Sequence, residues 1–237
     1  MYCPKCGHEQ NDGNLECARC GLVFSRYKKI DYSSVTKPGP GRRTLNYLLY
    51  TKDRIRVTGF AGRLALFTFL VFWSFIFMVH TIESNYAGKS FMHSVNLPFH
   101  ETGHIVFMFF GSVMHSLGGS LGQVIMPLIC MLVLLAKTRD TFGASVALWW
   151  MGESILDTAP YINDARIMQL QLLGGNTGAS APYGFHDWNF ILTELGLLKH
   201  SHLIAVMVDT SGKAVMAISL VWTAAVLSKQ LKKLKSN

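Results

Sequence analysis

Between Leu64 and Ile82 the chain carries no Asp, Glu, Lys or Arg, over nearly the roughly 20 residues needed to cross the hydrocarbon of a bilayer. A segment of this kind must satisfy its own backbone hydrogen bonds, which restricts it to an α-helix. Four further apolar stretches follow at Leu97–Val113, Leu121–Ala136, Phe142–Ala159 and Val208–Leu227. Half of all residues are hydrophobic, 15% are charged, and the mean hydropathy is +0.27. These values point away from a soluble domain. The expected fold is an all-α polytopic membrane bundle carrying a small N-terminal module. The first apolar stretch lies too far from the start to read as a cleaved signal peptide.

Charge is distributed unevenly. Lys28, Lys29, Lys37, Arg42, Arg43, Lys52, Arg54, Arg56 and Arg63 precede the first apolar stretch, and Lys229, Lys232, Lys233 and Lys235 follow the last. The positive-inside rule then places both termini in the cytoplasm. Nucleic-acid binding is the rival reading of basic tails, but basic residues beside a span need no such partner. Two cytoplasmic ends require an even number of crossings, whereas five segments are apolar. Either Leu97–Val113 is re-entrant, lining a water-filled cavity, or Trp188–Leu198 also enters the bilayer. Asp209 and Lys213, four residues apart in the last segment, are spaced to pair.

Four cysteines stand in two CxxCG knuckles, Cys3-Pro4-Lys5-Cys6-Gly7 and Cys17-Ala18-Arg19-Cys20-Gly21. Four thiolates in two tight turns suit a tetrahedral structural zinc, and glycine permits the turn geometry. Two disulfides are the alternative, which a cytoplasmic location disfavours. So small a module buries too little to fold unaided, so the metal would supply its folding energy. The expected organisation is a zinc ribbon over residues 1–30, a basic linker over 31–60, a membrane domain over 61–230 and a basic tail over 231–237. Val35–Arg43, with Pro38-Gly39-Pro40-Gly41, reads as flexible. Cys130, alone in an apolar stretch, reads as a small buried hydrophobe.

Within the second apolar stretch lies His100-Glu101-Thr102-Gly103-His104. On a helix, residues four apart share a face, so His100 and His104 can grip one zinc ion while Glu101 takes a proton from water. A catalytic zinc ordinarily has three protein ligands. The expected third is His186, oriented by Asp187, with Asp157 as the alternative. Asp187 reads equally as the cap of the following helix. The Gly-rich loop Gly174–Gly178 would let His186 reach the site and act as a lid. Glu153, Asp157 and Asp164 fall in or beside apolar sequence, where ionisable groups are costly and tend to serve function. Glu153, Asp164 and Asp187 are therefore expected to support ligands or contact substrate. For Asp164 the alternative is an ion pair with Arg166. Gly118-Gly119-Ser120, with Gln123 and Pro127, reads either as a close helix approach or peptide-holding backbone, or as a plain turn.

The HExGH helix, the Gly-Gly step and the later carboxylate-bearing segment resemble the site-two protease class of intramembrane zinc metalloproteases. That resemblance implies His100 and His104 as ligands and Glu101 as base. The class also uses an Asp within an Asn-Pro-x-Pro…Leu-Asp-Gly element, for which Leu156-Asp157-Thr158 is a faint counterpart. Over nearly its whole length, the chain resembles more closely a group of uncharacterised bacterial membrane proteins. They combine a CxxCG ribbon, HExGH, a YxxDAR-like stretch (here Tyr161–Arg166) and an HDW tripeptide (here His186-Asp187-Trp188).

The function expected from these features is hydrolysis of membrane-associated peptides by a bacterial inner-membrane enzyme with one catalytic and one structural zinc. The ribbon would dock a cytoplasmic protein partner or gate the membrane domain. A non-enzymatic membrane adaptor is the alternative. A di-iron desaturase is disfavoured because the chain contains no His-His pair.

Overall fold

The computed structural model describes residues 1–27, 39–52 and 55–236. The chain divides into two compact units, Met1–Arg43 and Thr44–Asn237. In the first, the two cysteine knuckles have the same backbone plan. Cys3 N–H donates to His8 O and Gly7 N–H to Cys3 O, while Cys17 N–H donates to Leu22 O and Gly21 N–H to Cys17 O, all at 2.9 Å. Gly7 and Gly21 close the turns at φ +69° and +68°, a region that side-chain-bearing residues avoid. The first part of the Val35–Arg43 linker lies outside the described residues. From Pro40 onward the chain is helical instead, as α1 (Pro40–Leu48), with Pro at the first helical position, where its missing N–H costs nothing.

The second unit is built from α2 (Val57–Val79), α3 (Phe91–Phe107), α4 (Ser112–Val133), α5 (Thr141–Asp164), α6 (Asp187–Glu194) and α7 (Ser201–Ser236). It begins earlier than residue 61, since Trp222 Nε1 donates to Leu48 O at 2.9 Å and Lys233 Nζ to Thr51 O at 2.9 Å. It also runs on through the expected tail, because α7 continues unbroken to Ser236. Among the described residues, three helical stretches are long and apolar enough to cross a membrane: Val57–Val79, Ser112–Thr138 and Leu198–Ser236. On α2, Phe69, Phe72, Phe75 and Val79 are exposed. An apolar outside of this extent suits a lipid solvent.

Helix α5 is the hub. It presses on α7 where Gly152 faces Gly212, and a Cβ on either would meet backbone of the other helix at 3.0 Å or less. Small residues at such a crossing let the helix axes approach. Ser219 Oγ then donates to Ser145 O at 2.7 Å, and Trp149 Nε1 ties α5 to Ser74 of α2 at 2.6 Å. Asp209 and Lys213 of α7 pair at 2.9 Å, as their spacing predicts.

Helix α3 has an unusual setting. Leu134 approaches Gly143 and Gln123 bonds to Ser154, so α4 and α5 are antiparallel. Yet α3 descends against both neighbours, from His93–Asp157 to Phe99–Trp150 on α5 and from Phe99–Gly122 to Gly103–Gly118 on α4. The α5 contacts come from residues 93–99 and the α4 contacts from residues 99–104, either side of Pro98. Gly103, Gly118 and Gly122 form the crossing point: a Cβ on Gly103 would collide with the Gly118 carbonyl, and one on Gly122 with the Phe99 carbonyl. The Gly118-Gly119 step is thus a close approach inside a continuous helix, not a turn.

Candidate metal centre

In the N-terminal unit, Cys3, Cys6, Cys17 and Cys20 bring their sulfurs within 4.8 Å of one another. The Cys3–Cys20 and Cys6–Cys17 sulfurs are 3.7 Å apart, far beyond a disulfide bond. A tetrahedron with metal–sulfur bonds of about 2.3 Å has edges of about 3.8 Å. The cluster therefore fits a metal ion such as zinc. Burial works against the Cys3 thiolate, but the Cys6 and Lys5 N–H groups and the neighbouring sulfurs outweigh it and bring the thiol down to about 6. At Cys20 the Leu22 N–H favours the thiolate, but burial and the other three sulfurs push the thiol up to about 12. Four thiolates this close need a cation.

In the second unit, His100, His104 and Asp187 form the other converging set among the described residues, again with one ligand atom of each within 4.8 Å of the others. His100 Nε2 lies 3.5 Å and His104 Nε2 3.4 Å from Asp187 Oδ2. Those distances are long for charge-assisted hydrogen bonds but match the edge of a tetrahedron with bonds of about 2.1 Å, about 3.4 Å. Both imidazoles are set to present Nε2. His100 Nδ1–H donates to Gln123 Oε1 at 2.9 Å, and Gln123 is fixed in turn by its own bond to Ser154 O at 2.9 Å. His104 Nδ1–H donates to the His115 carbonyl at 2.8 Å, while His115 Nδ1–H returns a bond to the His104 carbonyl at 3.0 Å. Outer bonds of this type fix tautomer and ring orientation at metal-binding histidines.

The expected third donor, His186, is not in the set, and neither is its alternative, Asp157. His186 caps α6: its Nδ1 accepts from Asn189 N–H at 3.1 Å, and its Nε2–H donates to Asp164 Oδ2 at 3.3 Å. Both nitrogens are thereby occupied, and the ring packs on Tyr161 with centroids 4.3 Å apart. With His186 as cap, Asp187 becomes the first helical residue and projects to the histidines. Asp157 is turned to His93, whose Nδ1 lies 3.0 Å from both carboxylate oxygens.

The stretch Tyr161–Arg166 and the His186-Asp187-Trp188 tripeptide form one unit around Asp187. Tyr161 Oη accepts from Asp187 N–H at 3.0 Å and sits 3.4 Å from its Oδ2. Asp164 accepts from the N–H groups of Gln169 and Leu170, both at 2.9 Å, and does not pair with Arg166. Asn189 Nδ2 donates to the Ala165 carbonyl at 2.8 Å, and Trp188 Nε1 docks α6 on Ser120 of α4 at 3.1 Å. Asp164 and His186 are thus positioning residues for the α6 start.

A cavity of about 530 Å³ adjoins the three donors and is lined by Glu101, His115, Tyr161 and the loop residues Leu170–Gly174, among others. Glu101 faces the cavity beside His100 and is exposed. Gly119, which sequence reading placed in a close helix approach or peptide-holding backbone, or in a plain turn, is pressed against both histidines. A Cβ there would lie 2.5 Å from Nε2 of His100 and of His104. Glu153 is completely buried, and its Oε2 accepts from Asn96 Nδ2 at 2.9 Å. It contacts neither the three donors nor the cavity directly. No family model, curated protein or solved structure matches the chain.

Proposed function

We propose that the protein is a membrane-embedded zinc hydrolase that cuts membrane-associated peptides. The observation that carries this reading is the convergence of His100, His104 and Asp187 on one point beside a cavity that also contains Glu101. Two imidazoles and a carboxylate are a hydrolytic zinc set with one position left for water. A zinc ion held there would polarise a scissile carbonyl and lower the pKa of bound water. Glu101 would accept the proton of the attacking water and deliver it to the departing amine. Gln123 and the His115 carbonyl would hold the ligands in their productive tautomers throughout. Tyr161 would keep Asp187 oriented.

The site would be re-entrant: with α3 excluded, the three stretches long and apolar enough to cross, together with α5, would give four crossings, an even number. Tyr47 Oη bonds to Leu135 O and Lys233 Nζ to Thr51 O, so the start of the domain and the ends of α4 and α7 share one face. Lys137, Arg139, Lys229 and Lys233 belong to the segments on that face, which supports a cytoplasmic location for it and for both termini, in a bacterial inner membrane. Asp187 and its loop belong to the opposite end. The four-cysteine ribbon would hold a structural zinc and dock a cytoplasmic partner.

The test is a comparison of new peptide termini in cells expressing the wild-type chain and Glu101→Gln. Termini present only with the wild type, while the variant retains its metal, are expected. Identical termini in both would defeat the hydrolase reading and leave a membrane adaptor.

A further inference from the structure

The cavity beside the metal donors has a second polar pole. His93, Leu97 and Asp157 line it together with His100, Glu101, His104 and Asp187. His93 and His100 are seven residues apart on α3, which at about 1.5 Å per residue separates them by about 10 Å along the axis. His93 is partly exposed, and its Nδ1–H donates to Asp157 with 3.0 Å to each oxygen. Nε2 is the nitrogen left for the cavity. Behind it, Asn96 Nδ2 joins Glu153 Oε2 at 2.9 Å to Asp157 Oδ2 at 3.3 Å, so two carboxyl groups share one buried pole. Glu153 is fully buried, and its Oε1 has no hydrogen-bond partner. Among the described residues lining the cavity there is no Lys or Arg. A cation bound in front of two adjacent carboxyl groups is drawn by both.

We propose that this pole binds the free α-amino group of the substrate peptide, an inference that rests on the hydrolase reading for the identity of that substrate. The ammonium would donate to His93 Nε2 and be held by the field of Asp157 and Glu153. An extended peptide advances about 3.3–3.6 Å per residue, so about three residues bridge the pole and the metal donors. The chain would then remove a short amino-terminal segment, and His93 and Asp157 would be positioning residues that set where the cut falls.

A released tripeptide should bridge both poles, which gives a test by binding alone. The probes are trileucine, its N-acetyl form and N-acetyl-Lys-Leu-Leu, titrated calorimetrically onto full-length, zinc-loaded protein in detergent. Trileucine is expected to bind about tenfold more tightly than the acetylated form, the scale of one charge-assisted hydrogen bond. In His93→Gln and Asp157→Asn the preference should disappear while zinc content stays at the wild-type value. Equal binding of trileucine and its acetylated form overturns the proposal, as does a preference that survives both substitutions. Recovery of affinity by N-acetyl-Lys-Leu-Leu assigns the pole to a side-chain ammonium and overturns the α-amino assignment. Binding with the expected preference but without any cleavage of longer peptides retains the pole and rejects the hydrolase reading alone.

Discussion

Replacing Gly119 with Ala tests the candidate centre without changing any proposed ligand. The added Cβ would stand 2.5 Å from Nε2 of both His100 and His104, about 1 Å inside an ordinary contact of about 3.5 Å. Side-chain tips usually yield cheaply, but these rings are pinned at Nδ1 by Gln123 and by the His115 carbonyl at 2.9 and 2.8 Å. Nor can α3 move off α4 easily, because Gly103, Gly118 and Gly122 hold the two backbones in contact. Metal sites tolerate ligand displacements of only about 0.2 Å. Helix separation would carry an overpacking cost of about 1–3 kcal/mol. Gly119→Ala should therefore fold, with a modest loss of stability, and bind the membrane-site metal at least about 10- to 100-fold more weakly, as disturbances around metal ligands do. Competition with a zinc chelator of known affinity measures this, with the ribbon zinc as an internal control. Wild-type zinc affinity in folded Gly119→Ala would refute the placement of the metal between the two Nε2 atoms.

Further expectations follow from the same contacts. Gln123→Leu removes the acceptor for His100 Nδ1–H and should weaken the membrane-site metal about 10- to 100-fold, read by the same chelator competition; an unchanged value would remove Gln123 from the site. Asp187→Asn should lose that metal, whereas His186→Asn, which keeps a capping side chain, should retain most of it; metal analysis showing the reverse would restore His186 as ligand. Cys3→Ser with Cys17→Ser should release the ribbon zinc and unfold Met1–Arg43, seen as protease sensitivity confined to that unit, and a resistant ribbon would contradict the metal's part in its folding.

Much of the helical frame is legible from apolar stretches alone, because a span must be both helical and oily. The boundaries shift, with α2 starting at Val57 instead of Leu64 and α7 running to Ser236, since helices extend past the hydrocarbon into charged flanks. His100, Glu101 and His104 are found from spacing because one helix positions all three. Asp187 is legible only as a companion of His186. Capping decides which of two adjacent residues points where, and His186 takes the cap that was the alternative reading of Asp187. Pairing of Tyr161–Arg166 with His186–Trp188 depends on contacts more than twenty residues apart, such as Tyr161 with Asp187 and Asp164 with His186. No periodicity reports such contacts. That α3 and α4 meet through Gly103, Gly118 and Gly122 emerges only when the two helices are seen together.

Zinc stoichiometry of the intact chain tests the central claim most directly. Full-length protein purified in detergent should hold two zinc ions. The count should fall to one when Asp187 is changed to Ala, and independently to one when Cys3 and Cys17 are changed to Ser. A single zinc in the wild-type chain, lost with the cysteines and indifferent to Asp187, would mean that His100, His104 and Asp187 converge without holding a metal.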